Sequence, residues 1–347
     1  MKTISLILVI IFVCFTTFVA IPKLSSTATV QSEYRLITLW HVDNFASGKI
    51  SKADWLKKVA TLFEKRNKGV LINIVNLTQS QAIELLDQGK TFDLVCFSQG
   101  IGERLLPLLM PYEGRVLSTE NFTEGGVVNG FQYALPYLSG GYCFFVRQSA
   151  LQNAENFPQN ALNLATTKKV GKNVVTLDSL HFGTQESTLT EVALALVCGK
   201  AERQNFDQYQ TYVDFVRGKF VCLLSTQRDL WRLSQRIESG KLEKLYMQVA
   251  PFTDLVQYVG IASGTKFFHL AQEFACFLQT DEVQQTLTSA GLFSVVGRND
   301  YTDEWYKEMQ NQLNVAKTTS VFLSLEQISA LKEASFLGKD TLLGLLA

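Results

Sequence analysis

Charge of one sign is what this chain most plainly lacks: 32 Lys and Arg balance 32 Asp and Glu over 347 residues. Without a basic excess there is no overall footprint for counterion release from a polyanion, which speaks against nucleic acid as a partner. Glycine and proline, at 22 and 6, are not enriched; no low-complexity tract occurs, and no fixed-period repeat marks a solenoid or propeller. The six cysteines never fall in CxxC spacing, so zinc-ribbon and thioredoxin-like chemistry have no frame. Only His41, His181 and His269 are present, far apart in sequence, and HExxH, GxSxG and a Gly-rich phosphate loop are all missing. No metal site, cofactor or catalytic residue is therefore expected, and each His reads as a hydrogen bonder of core or surface.

What is there is apolar residue, 47% of the chain, enough to bury a sizeable core, in a length that suits two domains better than one. Lys2 precedes an apolar run from Ile4 to Ile21, broken only by Ser5, Thr16 and Thr17. This reads as an export signal. The run is long for a signal-peptide core, and no small-x-small cleavage site follows, since Phe18 stands two residues before Ala20. An uncleaved anchor is favoured, with cleavage and secretion as the alternative. Cys14 lies in this run; Cys96, Cys143, Cys198, Cys222 and Cys276 all sit in apolar strings and read as buried free thiols.

Along the chain, Arg35 to Trp40 reads as a strand, and Ser51-Lys52-Ala53-Asp54 as a capping box opening a helix that faces inward through Trp55, Val59, Leu62 and Phe63. Asn67 and Gly69 stop it, Val70 to Val75 gives a second strand, a helix through Leu86 closes near Gly89, and Leu94 to Phe97 gives a third strand. The order βαβαβ predicts a parallel sheet with right-handed crossovers. Gln132 to Tyr137 and Tyr142 to Val146, separated by Gly140-Gly141, suit a crossing between two lobes. Helices are expected at Thr188 to Val197 and Phe206 to Val216, and strands at Phe220 to Leu224 and Leu245 to Val249. Lys266 to Thr288 and Thr302 to Leu346 read as mainly helical and are expected to return to the first lobe.

Several of these segments resemble the extracellular solute-binding proteins of ABC importers, family 1, the maltose-binding-protein-like group in a compact Gram-positive form. Ile37-Thr38-Leu39-Trp40-His41 followed by Phe63 to Val70 is similar to that group's first strand, helix, turn and second strand. Gly89-Lys90-Thr91-Phe92-Asp93-Leu94 resembles its G-x-x-P-D-L approach to the third strand, with Phe92 in place of Pro. Tyr133 to Tyr137 looks like its lobe-crossing segment, and Thr226 to Asp229, Thr253 to Tyr258 and Ala290 to Val295 resemble a narrower subgroup. The family's lipobox is not matched, because Ile11-Phe12-Val13-Cys14 comes too early and places no small residue before the Cys. The resemblance implies two α/β lobes of the periplasmic-binding-protein type, joined by a hinge with the cleft between them. The expected division is a signal or anchor over 1–32, lobe 1 over 33–138 and 262–347, and lobe 2 over 139–261.

In such a sheet, ligands sit beyond the carboxyl ends of strands where strand order switches. The candidate ligand-binding residues are Trp40, Asp43, Phe97, Gln99, Tyr137, Ser139, Gly140, Gln185, Glu186, Thr226, Arg228 and Tyr258. Trp40, Tyr137 and Tyr258 are rings to stack on a sugar, Asp43, Gln99 and Gln185 bind hydroxyls, and Arg228 forks to a ring oxygen or an acidic sugar. The competing readings are core packing for the rings, strongest for Tyr258, and an Arg228–Asp229 ion pair. Glu186 and Asp254 also read as solvated or capping. The expected function is capture of a small solute, foremost a mono- or oligosaccharide, by a monomer outside the cytoplasm that hinges shut and delivers it to an ABC permease. The alternatives are a receptor module feeding a membrane sensor, or a binder of a polyamine, metal complex or oxyanion. A secreted hydrolase built on Asp43 and Glu186 has only their shared cleft position in its favour.

Overall fold

The computed structural model describes residues 34–151, 180–181, 188–201, 208–219 and 222–346. The N-terminal export or anchor segment, and with it the expected membrane attachment, lies outside the described residues, as do Gln185 and Glu186. Among the described residues, no helix is long and apolar enough to cross a membrane.

The first sheet grows from β1 (Arg35–Asp43), whose interior is almost continuously buried, as a strand covered on both faces must be. Ser51 caps α1 (Lys52–Arg66), its side chain accepting from Asp54 N at 3.0 Å, as the capping box predicted. Trp55, Leu56, Val59, Ala60 and Phe63 of α1 are buried against the sheet. The chain reverses at Gly69, in the left-handed region at φ 79°, into β2 (Val70–Thr78), parallel to β1. Thr78 and Gln81 form a reciprocal capping box at the start of α2 (Gln79–Asp87), and β3 (Leu94–Phe97) joins the other side of β1, again parallel. A run of short elements comes next: α3 (Gly102–Leu105), β4 (Leu109–Met110), α4 (Glu120–Thr123) and the ribbon of β5 (Val127–Val128) with β6 (Phe131–Gln132).

Then β7 (Ala134–Ser139) runs to Gly140-Gly141, and β8 (Tyr142–Arg147) enters a second sheet. That sheet also holds β9 (Leu180–His181), β10 (Cys222–Thr226) and β11 (Leu245–Val249), in the order β11-β8-β10-β9. Its helices are α5 (Thr190–Cys198), α6 (Gln208–Val216) and α7 (Gln227–Glu238). The chain returns through residues 250–255 to β12 (Val256–Ala262), antiparallel between β3 and β4 and also paired with β7. The remaining elements are α8 (Phe268–Leu278), α9 (Asp281–Gln284), α10 (Glu304–Leu313), α11 (Leu325–Leu337) and α12 (Lys339–Leu345).

Two expectations about the halves are corrected. Residues 256–261 belong to the first sheet, because β12 pairs directly with β3, so the return crossing falls at 250–255. The helices after residue 302 do not cover the first sheet: α10 packs on β11, and α11 and α12 pack on α5. The reason is α5 itself, TEVALALVC, buried from Thr190 to Val197 and therefore in need of apolar cover on every side. Ala201 N donates to Ser335 O at 2.8 Å and Lys339 N to Gly199 O at 2.7 Å, fixing that cover in place. Cys96, Cys143 and Cys222 are buried, as their apolar settings implied, while Cys276 is only half-buried.

The two crossings lie side by side. Gly140 N donates to Leu255 O, Thr253 Oγ1 donates to Gly140 O at 2.9 Å, and Ser139 exchanges backbone hydrogen bonds with Phe293. Fully buried Gln227 braces them, accepting from Gly141 N at 2.9 Å and donating to Ala46 O at 2.6 Å. A Cβ at Gly140 would sit 2.5 Å from Gln227 Oε1. Gly140→Ala is therefore expected to cost about 1–3 kcal/mol through overpacking; urea unfolding should show a lower midpoint at an unchanged slope.

Candidate functional site

Strands β1 and β10 end on the same side of the molecule, and the segments leaving their ends face a common pocket. Phe45 and Ala46 come from the loop after β1, Leu223 to Thr226 from β10, and Arg228 and Asp229 from the first turn of α7. Tyr142 of β8, Thr188 and Thr190 at the start of α5, Thr211 of α6 and Leu255 of the return crossing complete it. The cavity itself measures only about 50 Å³, well short of the about 300–1,000 Å³ usual for small-molecule sites, so its walls lie close together in this structure. Both halves of the fold supply its walls.

Two carboxylates order the polar side. Asp254, buried, accepts from Tyr142 OH at 2.7 Å and from Leu189 N at 2.7 Å, while Thr190 Oγ1 donates to Tyr142 OH at 3.4 Å. Burial raises the Asp254 carboxyl above its usual range despite these donors, and burial, then the neighbouring Asp254, drives the Tyr142 hydroxyl up, so that it stays a neutral donor. Asp229, also buried, accepts from Ser225 Oγ at 2.5 Å, from Arg228 Nε and Nη2 at 3.3 Å, and from Arg232 Nη1 at 3.4 Å. The ion-pair reading of Arg228–Asp229 is thus realised at the pocket wall, with 19% of the Arg228 side chain still exposed.

Beneath the loop after β1 lies a buried ammonium. Lys52, only 1% exposed, sits 2.7 Å from Asp43 Oδ1, donates to Gln257 Oε1 at 3.0 Å and stands 3.4 Å over the Phe45 ring. Gln257 in turn donates to Val42 O at 2.9 Å. Burial lowers the Lys52 pKa to about 8, opposed by Asp43. Neighbouring His41 is lowered to about 4, chiefly by burial and next by Lys52, with Asp43 opposing. Neither His41 nitrogen has a protein hydrogen-bond partner. Where β1 and β3 end, Asn44 Oδ1, Ser98 Oγ and Gln99 Nε2 are likewise buried without a protein partner, and Asn44 Nδ2 donates to Gln99 O at 3.3 Å. Among the described residues, no group of three His, Cys, Asp or Glu is placed to hold a metal ion.

Of the residues expected from the sequence, Thr226 and Arg228 line the pocket. Asp43 stands at the root of the Phe45 loop, half exposed and bound to Lys52, and Gln99 belongs to the unpartnered polar shelf. Ser139 and Gly140 form the crossing itself. The rings are elsewhere. Trp40 packs on Phe92 with centroids 4.9 Å apart, Phe97 on Phe322 at 5.9 Å, and Tyr137 stacks on Trp55 at 6.0 Å; Tyr258 OH donates to Phe122 O at 3.0 Å. All four are at most 3% exposed, so core packing replaces ligand stacking. The candidate segment Tyr137 to Tyr142 reaches the pocket through Tyr142, whereas sequence reasoning missed Phe45, Thr188, Thr190, Thr211, Ser225 and, as a pocket residue, Asp229. A signal existed for some: Phe45 lies just past an expected strand end, and Ser225 and Asp229 flank two residues already singled out.

A scan against protein-family models finds no match, and neither does a search of curated proteins. Solved structures do match. The sugar-binding protein MalE of Xanthomonas citri is 14% identical, with 90% of this chain and 95% of that one covered at a TM-score of 0.65. The GacH receptor of Streptomyces glaucescens, solved unliganded and with acarbose, is 14% identical over 89% and 93% of the two chains at 0.61. An extracellular solute-binding protein of Staphylococcus aureus, solved with maltose, is 12% identical over 90% and 95% at 0.61. The chain has the fold of the extracellular solute-binding proteins of the maltose-binding type.

The buried imidazole has a consequence for stability. His41 is neutral in the fold and titrates near its ordinary value of 6.5 in the unfolded chain, so the unfolded state binds the extra proton and stability falls as pH drops from about 6.5 toward 4. The loss attributable to this group is up to about 3 kcal/mol. Urea titrations across that window should show a steeper fall for the natural protein than for His41→Leu; parallel curves would remove His41 as the cause.

Proposed function

We propose that this chain is an extracytoplasmic solute-binding protein that captures a carbohydrate between its two halves and hands it to an ABC permease. The observation that carries the reading is the pocket walled from both sides: Phe45 and Ala46 from the first half, Thr188, Thr190, Ser225, Thr226 and Arg228 from the second. A ligand touching both walls holds the halves together, and the differential contacts favour the closed form. Hydroxyl and guanidinium groups beside an apolar ring suit a sugar, whose hydroxyls need donors and acceptors and whose faces need a flat apolar partner. Ser98, Gln99 and Asn44 add buried polar groups with no protein partner at the ends of β1 and β3.

The lobes we assign are the β2-β1-β3-β12-β4 sheet with β7 and the β11-β8-β10-β9 sheet, hinged at Gly140-Gly141 and 250–255. The chain acts as a monomer, without catalysis, held at the outer face of the membrane by its N-terminal apolar segment or released by its cleavage. The solved structures sharing this fold include proteins solved with maltose and with acarbose, which supports a sugar as the ligand.

A thermal-shift screen of the protein against mono- and oligosaccharides, amino acids, polyamines and metal chelates tests this, because any ligand of the folded state alone raises its stability. A shift with one sugar series is expected; shifts only with polyamines or chelates would sink the carbohydrate reading. Arg228→Ala should weaken the sugar so found by about tenfold to a hundredfold, the range of a lost charge-assisted hydrogen bond, measured by titration calorimetry.

A further inference from the structure

We infer that the pocket continues outward into a cationic, aromatic groove between α6 and α7, and that this groove holds the distal units of an acidic oligosaccharide. This rests on the carbohydrate reading above and deepens it. The two hollows adjoin on both helices. Thr211 of α6 lines the pocket and Tyr212 the groove, and Arg228 of α7 lines the pocket while Arg232, one turn later, lines the groove. The groove is an open trough of about 570 Å³.

Its chemistry has one sign. Arg228, Arg232 and Arg236 recur every fourth residue, so they share a face of α7, and Lys241 stands at the far end. Arg228 and Arg232 both reach the buried Asp229, and no Asp or Glu lines the groove among the described residues. Glu238 faces the neighbouring hollow beside Lys49. Arg236 Nε donates to Tyr212 OH at 3.1 Å, and both Arg232 and Arg236 lie 5.9 Å from the Tyr212 ring centroid, which fixes the guanidinium planes. Flanking them are Trp231, 47% exposed, and Tyr209, 67% exposed. Planar guanidinium forks match carboxylates, and broad exposed rings match the apolar faces of sugars. The combination selects a glycan bearing carboxylates and longer than the pocket alone accommodates.

Calorimetry of the full-length protein with digalacturonate, hexagalacturonate, maltose and maltohexaose reads this out. Hexagalacturonate is expected to bind at least about tenfold tighter than digalacturonate, with a gain that shrinks as salt rises and that maltohexaose does not show over maltose. The gain should vanish in the double variant Arg236→Gln/Lys241→Gln and fall in Trp231→Ala, all three positions lying outside the pocket, with circular dichroism showing each variant folded. Equal length dependence for the acidic and neutral series, or a gain retained in the double variant, would overturn the inference and leave the carbohydrate reading standing. Binding of anionic phospholipid vesicles without any affinity for hexagalacturonate would assign the groove to a membrane surface and overturn it too. No heat with any of the four sugars would instead overturn the carbohydrate reading, and this inference with it.

Discussion

The ammonium of Lys52, buried under the first turn of α1, is the constraint on which the pocket side of the first half depends. Removing a charge from water costs several kcal/mol, and the structure meets that cost with a carboxylate from the end of β1, an amide from β12 and the face of Phe45. Asp43 and Phe45 lie two residues apart, and Gln257 comes from a part of the chain about 200 residues further on. One side chain therefore sets where the first strand ends, how the central strand β12 sits against it, and which way the loop carrying a pocket wall turns. The neutral state of His41 comes first from the same burial and then from the charge of Lys52 beside it.

Much of the architecture was legible in the sequence because it is written in local signals. Ser51 and Thr78 mark their helix starts by side-chain oxygens, Asn67 and Gly69 end a helix by backbone conformation, and the apolar strings at Leu94 and Tyr142 are strands buried on both faces. What failed was long-range. Nothing in Val256–Ala262 says that it lies beside β3, and nothing in the helices after residue 302 says that α5 is their partner. The aromatic residues failed for a related reason. A ring in Trp40, Tyr137 or Tyr258 has the same sequence signature whether it stacks on a sugar or on Phe92 or Trp55, and only burial separates the cases. Thr226 and Arg228 were found because a strand end followed by a helix start is a local signal for a site at the sheet edge.

The crossings give the molecule both rigidity and a seam. Gln227 spans from Ala46 to Gly141, so the loop of one half and the first residues of the other half share an amide. Thr253 and Leu255 bond back to Gly140, binding the outgoing and returning strands into one narrow strip. Leu255 and Ala46 belong both to this strip or its brace and to the pocket wall, so the pocket opens directly beside the crossings.

The position of β12 also governs the order of assembly. It separates β3 from β4 and pairs with β7, so a chain emerging from its N-terminus presents open strand edges until Val256 and the residues after it arrive. Pairing across so long a separation is slow, because the loop must close before the contacts repay it. The sheet that would lock the leading half lacks its central strand until three quarters of the chain has been made. Delayed closure of this kind keeps the leading half pliable during synthesis, at the risk that exposed edges meet another copy before their own strand appears.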